Sequence, residues 1–194
     1  KSDLEKVKKE IVKLKRKCVI YDCDVSNFEE LRSVFNQISK LDILVNNAGT
    51  NRPEHFTKID KKDMDYVVDL NLKAAFHVAQ MGAKVMTKQK NRKSIGGSII
   101  NVSSQLGKVG APKRSIYNMT KFGIEGLTRG MALDLAKNNI RVNTVCPTFV
   151  ETPMVKKFFK DKKVKTQMIN NIPLGRLATE SDIATAVVYL ASNA

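Results

Sequence analysis

Three side chains able to trade a proton stand in one short stretch, Ser104, Tyr117 and Lys121 of "SSQLGKVGAPKRSIYNMTKFG" (103–123). Tyr117 and Lys121 are four residues apart in a helical pattern, so they share a helix face about one turn apart. A phenol of pKa ~10 is a poor base at neutral pH. An ammonium within several ångströms favours the phenolate and lowers that pKa, and a Tyr so tuned can exchange a proton with an alcohol or carbonyl oxygen. Ser104 lies 13 residues before Tyr117, at the end of the predicted strand "GSIINVSS", where its hydroxyl could hydrogen-bond the same oxygen. Ser103 is a second hydroxyl at nearly the same place. A helical Tyr with Lys at i+4 is by itself a common surface pair, so its weight depends on what the neighbouring elements bring beside it.

Those elements alternate short β-branched runs with amphipathic helices. Residues 3–15 form a predicted helix on Leu4, Val7, Ile11 and Leu14, and "CVIYDCDV" (18–25) a predicted strand. Ser26 or Asn27 can cap the helix "FEELRSVFNQI". "DILVNNAG" (42–49) is a second strand, and Asp60 opens a long helix over 61–88. Strand 98–104, helix 115–138 and strand 140–146 follow, then a helical segment over 154–170 and a last helix in "TESDIATAVVYLASN". Strands with almost no polar alternation, separated by helices, predict a parallel sheet covered on both faces. This is a doubly wound α/β fold, which places ligands at the carboxyl ends of its strands. The polar turns "CDVSN", "NNAGTN", "SSQLG" and "PTFVET" all fall at those ends. With no internal repeat and no linker, residues 1–194 are expected to form one domain.

Composition narrows the function classes. Apolar content of 42% and charged content of 27% suit a soluble globular chain, and no apolar run approaches the ~20 residues of a membrane span. The net charge of +15 raises nucleic acid as a partner. The lysines are spread over helices without a recognition motif, so solvated helix faces are the simpler reading and neither nucleic acid nor membrane is expected. Cys18, Cys23 and Cys146 have neither metal-ligand spacing nor a disulfide framework, which suggests a reducing cytoplasm. No metal site is expected, and His55 and His77 have no partners at ligand spacing.

"NNAG" (46–49), Asn71 in "DLNLKAAF", Ser104, "YNMTK" (117–121), "RVNTVCPTFVETPM" (141–154) and the closing "PLGRLATESDIATAVVYLASNA" together resemble the classical short-chain dehydrogenases/reductases. They are most similar to the branch containing 3-oxoacyl-carrier-protein reductases, from about Asp3 to Ala194. The resemblance implies a Rossmann-type domain using NAD or NADP to interconvert a secondary alcohol and a ketone by hydride transfer. It implies Tyr117 as acid/base, Ser104 polarising the substrate oxygen, and Lys121 lowering the Tyr117 pKa and holding the nicotinamide ribose. Asn71 would hold a water in a proton relay. For the cofactor it implies Asp24 and Val25 at the adenine, Asn47, Ala48 and Gly49 along the adenosine ribose, and Val150 and Thr152 at the nicotinamide carboxamide. Asn46 would tie strands together. Segment 153–172 matches the family's substrate lid, whose basic residues suit an anionic substrate such as a carrier-bound thioester or a sugar acid. Helices 61–88 and 115–138 match the family's subunit interface, implying a homotetramer or dimer. The alternatives are a sugar or polyol dehydrogenase of the same family, or a non-catalytic basic binding or scaffold protein.

Two departures from the family pattern stand out. Pro147-Thr148 replaces the usual Pro-Gly, which bears on the local turn. The TGxxxGxG turn that holds the cofactor pyrophosphate does not occur in the 194 residues, nor does the family's last strand. The resemblance therefore implies an incomplete domain, lacking its first βαβ unit, and inactivity of these residues alone.

Overall fold

The computed structural model describes residues 2–89, 96–152, 166 and 168–193. Three parallel strands, β1 (Ile43–Asn46), β2 (Gly97–Val102) and β3 (Ile140–Val145), lie side by side in chain order. Val45 stands opposite Ile100, and Ile100 opposite Asn143. β2 is the middle strand, and its Ser98, Ile99, Ile100 and Asn101 are all buried. Burial on both faces is why its sequence shows no alternation.

The helices are α1 (Ser2–Lys13), α2 (Phe28–Asn36), α3 (Lys61–Val68), α4 (Ala75–Lys88), α5 (Ser115–Leu135) and α6 (Glu180–Ala191). Their starts follow local chemistry. Asn27, not Ser26, caps α2, its side chain accepting from the amides of Glu29 and Glu30. The Asp60 carboxylate accepts from the Asp63 amide at 2.7 Å, and Thr179 forms a capping box with Asp182. Met86 of α4 packs fully buried against Ile99, Ile140 and Val142, with Leu41, Leu44 and Met131 around them. Met86→Ala is expected to lower stability by about 2–5 kcal/mol, because the lost thioether leaves a cavity in a close-packed site. Urea denaturation checks this, and a loss under about 1 kcal/mol would place the core elsewhere.

Three expectations are corrected. The 61–88 helix is not continuously α-helical: Asp69–Ala74 widens into a π turn, and Asn71 sits in it. Such single π turns inside α-helices are frequent at functional sites. Residues 18–25 form no strand, since no strand lies beside them among the described residues to supply a hydrogen-bonded ladder. Val19 is accordingly 72% exposed. The third concerns burial: α1 buries none of its residues, and the edge strand β1 leaves Ile43 and Val45 about half exposed. The lid expected over 153–172 and the helix over 154–170 fall mostly on residues 153–165 and 167, outside the described residues. No described helix is long and apolar enough to cross a membrane. Among the described residues no cluster of His, Cys, Asp or Glu is arranged to hold a metal.

Candidate active site

The carboxyl ends of β1, β2 and β3 open into a cavity of about 720 Å³. β1 continues into Asn47, Gly49 and Thr50, β2 into Ser103 and Ser104, and β3 into Pro147, Thr148, Val150 and Thr152, all on its wall. α5 presents Tyr117 and Lys121 from one side, and α6 closes the other with Ile183, Ala184, Val187 and Val188. The cavity thus has a polar wall of hydroxyl, phenol and ammonium facing an apolar one.

Ser104 is held in extended conformation (φ −165°, ψ 160°) as the cap of the short turn Gln105–Gly107, its Oγ accepting from the Leu106 amide at 3.1 Å. Its hydroxyl also lies near the Tyr117 phenol, close enough to favour the phenolate while falling short of a well-formed hydrogen bond. Ser103 borders the cavity too, but its buried hydroxyl approaches the Glu125 carboxylate closely enough to favour ionisation there, while falling short of a well-formed hydrogen bond. The family spacing points to Ser104, and the Ser103 hydroxyl lies toward Glu125.

Lys121 is 5% exposed, with its Nζ donating to Val102 O at 2.9 Å and lying 5.5 Å from the centre of the Tyr117 ring. Burial pushes its pKa down to about 8, opposed by the nearby Cys146 thiol. Burial raises the Tyr117 phenol above its ordinary range, with the nearby Ser104 hydroxyl and the Arg114 charge pulling it back. The expected direction is therefore reversed: loss of water outweighs any neighbouring cation, and Lys121 approaches the ring face.

Asn71 is 1% exposed. Its Oδ1 accepts from the Thr50 amide at 2.7 Å, and its Nδ2 donates to Thr50 O at 2.8 Å and Thr120 Oγ1 at 3.3 Å. It ties the loop after β1 to α5, and both ends of its amide have protein partners. Gly49 is pressed against this tie, since an added Cβ would come 3.3 Å from Asn71 Oδ1. Asn46 bridges strands as expected, donating to Ala75 O at 2.8 Å and Asn101 Oδ1 at 3.2 Å.

The remaining sequence-derived positions divide. Val150 and Thr152 reach the cavity, and Val150 forms a bridge with Ala178 that anchors their loop. Thr148 does not take a positive φ, so threonine is accommodated where the family has glycine. Ala48 does not line the cavity, nor do Asp24 and Val25. The Asp24 carboxylate accepts from the Ser26 amide at 2.9 Å and hydroxyl at 2.7 Å, which holds it below the usual carboxylate range.

An ammonium, a phenol and the Asn47–Gly49 turn beside an apolar wall fit the nicotinamide and ribose portion of a dinucleotide. The pyrophosphate has no glycine-rich cradle among the 194 residues. Sequence reasoning missed Glu125, Lys108 and Asn118, which pack around the Ser104 turn. Glu125 stands at i+4 from Lys121 and i+8 from Tyr117, so its helix face was readable.

A family model described as enoyl-(acyl carrier protein) reductase matches residues 1–194. A 3-oxoacyl-(acyl-carrier-protein) reductase of Thermotoga maritima is 36% identical over 197 residues, covering 100% of this chain and 77% of that protein. The crystal structure of a short-chain type dehydrogenase/reductase from Mycobacterium marinum superposes with a TM-score of 0.89 at 29% identity, covering 97% of this chain and 74% of that one. A gluconate 5-dehydrogenase from Burkholderia cenocepacia, solved with NADP and tartrate, gives a TM-score of 0.81 at 29% identity, with 87% and 66% covered.

Proposed function

We propose that this chain, which belongs to the short-chain dehydrogenase/reductase family of NAD(P)-dependent oxidoreductases, reduces the ketone of a carrier-bound 3-oxoacyl thioester to the secondary alcohol. The observation that carries the reading is the convergence of the Ser104 hydroxyl, the Tyr117 phenol and the Lys121 ammonium on the polar wall of one strand-end cavity. The similarity to the Thermotoga maritima reductase supports the substrate class.

The bound nicotinamide supplies the hydride. The chain's own residues handle the oxygen. The Ser104 hydroxyl donates to the substrate carbonyl oxygen, and the Tyr117 phenol gives that oxygen its proton. The raised phenol pKa keeps Tyr117 protonated at neutral pH, the state a donor requires. Lys121, one turn away, faces the phenolate left behind and would hold ribose hydroxyls of the nucleotide. Asn71 keeps the loop after β1 fixed against α5, and Val150 and Thr152 would hold the carboxamide. Asn47 and Gly49 on the cavity wall, with Ala48 between them, would hold the adenosine ribose, and Asp24 and Val25, outside the cavity, would hold the adenine.

A sugar-acid dehydrogenase is the second reading, favoured by the gluconate 5-dehydrogenase neighbour. Oxidation of NADPH or NADH by the full-length protein, with an acetoacetyl thioester or 5-ketogluconate offered separately, distinguishes them. Faster turnover of the thioester is expected, and faster turnover of the sugar acid would overturn the choice. We also assign α3, α4 and α5 to a subunit interface, because Tyr66, Phe76, Met119 and Phe122 stand 43–49% exposed on them. Sedimentation should return a dimer or tetramer, and a monomer would remove this assignment.

A further inference from the structure

Glu125 is 4% exposed on α5, two turns beyond Tyr117 and one beyond Lys121. Its carboxylate pairs with Lys108 Nζ and accepts from Thr144 Oγ1 at 3.4 Å and Cys146 Sγ at 3.3 Å. Lys108 follows the turn capped by Ser104, while Thr144 and Cys146 lie at the end of β3. A buried carboxylate is costly unless paired, and an apolar replacement would often be at least as stable. Geometry, more than stability, is what such a pair provides. At the turn's other end Asn118, the residue after Tyr117, donates through Nδ2 to Leu106 O at 2.8 Å and Val109 O at 2.6 Å. Between these two holds the fit is tight: a Cβ on Gly107 would come 2.8 Å from Ser103 Oγ and 3.0 Å from Lys121 O. The amide of Gln105 completes the seat by donating to Pro147 O at 2.9 Å.

We infer that Glu125 and Asn118 are positioning residues, which through Lys108 and the carbonyls of Leu106 and Val109 hold the Ser104 turn in register with Tyr117. The inference rests on the reading of Ser104 and Tyr117 as the pair that meets the substrate oxygen. One helix then carries the proton donor and both grips on the loop bearing its partner. A misplacement of about 1 Å in such a pair costs on the order of 10²-fold in rate.

The test uses the full-length protein. Glu125→Gln keeps side-chain shape and an acceptor for Thr144 while removing the charge that holds Lys108. Asn118→Ala removes the donors to both carbonyls. Each is expected to lower kcat by roughly 10- to 100-fold with KM and nucleotide Kd changed less than about two-fold. Glu125→Asp should recover part of the loss. Amide hydrogen exchange should accelerate at 105–109 while β2 stays protected. Should Glu125→Gln fail to fold, Lys108→Met, at the half-exposed end of the pair, carries the same expectation. Unchanged exchange at 105–109 in these variants would overturn the inference, as would a loosened turn with unaltered kcat. If the wild type reduces no ketone, the reading of the reacting pair falls, whereas the exchange measurement still decides whether α5 holds the turn.

Discussion

Tyr117→Phe is expected to abolish ketone reduction in the full-length protein, lowering kcat by about 10³-fold or more, while NAD(P)H still binds within a few-fold of wild type. The substitution removes a single oxygen. That oxygen is the proposed proton donor, and positioned general acids contribute typically 10²–10⁴-fold. It also removes the phenol oxygen that stands beside Ser104 on the cavity wall, so the carbonyl oxygen loses the donor and part of its alignment together. The ring itself stays, and with it the contact over which Lys121 lies at 5.5 Å. Fluorescence titration with the nucleotide and steady-state turnover, measured on the same preparation, separate binding from chemistry. Retained turnover would remove Tyr117 from the reaction.

Lys121→Met is expected to reduce turnover severely and, at neutral pH, to make the protein more stable. The ammonium is held in a buried site at a pKa of about 8, against ~10.4 in an unfolded chain. The folded-state pKa is depressed, so below pH 8 both states carry the proton and the folded state bears the whole cost of the buried charge. As pH rises from 8 toward ~10.4 the unfolded chain binds more protons than the folded one, and wild-type stability climbs. The buried charge costs roughly 3 kcal/mol at pH 7. Methionine removes that cost but strips the donor from Val102 O, worth about 1 kcal/mol. The net advantage of the variant is then about 1–2 kcal/mol near pH 7, and it reverses above pH ~9. Chemical denaturation of both proteins at pH 7 and pH 10.5 checks the crossing. A variant less stable than wild type at both values would show that the ammonium is well solvated or paired.

How much of this was readable beforehand depended on how local its cause is. Asp60 is legible as a cap, and the cap of α2 is narrowed to Ser26 or Asn27, because a cap satisfies amides two or three residues away; sequence reasoning missed the Thr179 cap, which follows the same rule. β2 and β3 are legible because short β-branched runs, carried by Ile99 and Ile100 in one and by Ile140 and Val142 in the other, stand between helical patterns. Residues 18–25 carry the same signal without forming a strand, since the hydrogen bonds that make a strand come from a neighbour. The π turn at 69–74 leaves no mark on apolar spacing, and it carries the Asn71 that meets Thr50 and Thr120. Among the site residues, the shared helix face of Tyr117 and Lys121 followed from their spacing alone. The choice of Ser104 over Ser103 came from family spacing, and its physical basis, the direction of each hydroxyl, is tertiary. So is the reversed Tyr117 shift, because burial is a property of the assembled cavity. Glu125 was visible at i+8 from Tyr117, but a charge on a helix gives no sign of burial until its partners arrive from β3 and from the loop after β2.

The most direct test of the central claim follows the hydride. The full-length protein is incubated with acetoacetyl-pantetheine and NADPH or NADH deuterated at the transferring position of the nicotinamide, and the product is analysed by mass spectrometry. Deuterium on the new carbinol carbon, formed by wild type and not by Tyr117→Phe, is the predicted result. A protein that binds the nucleotide yet transfers no deuterium to this ketone or to 5-ketogluconate would contradict the account.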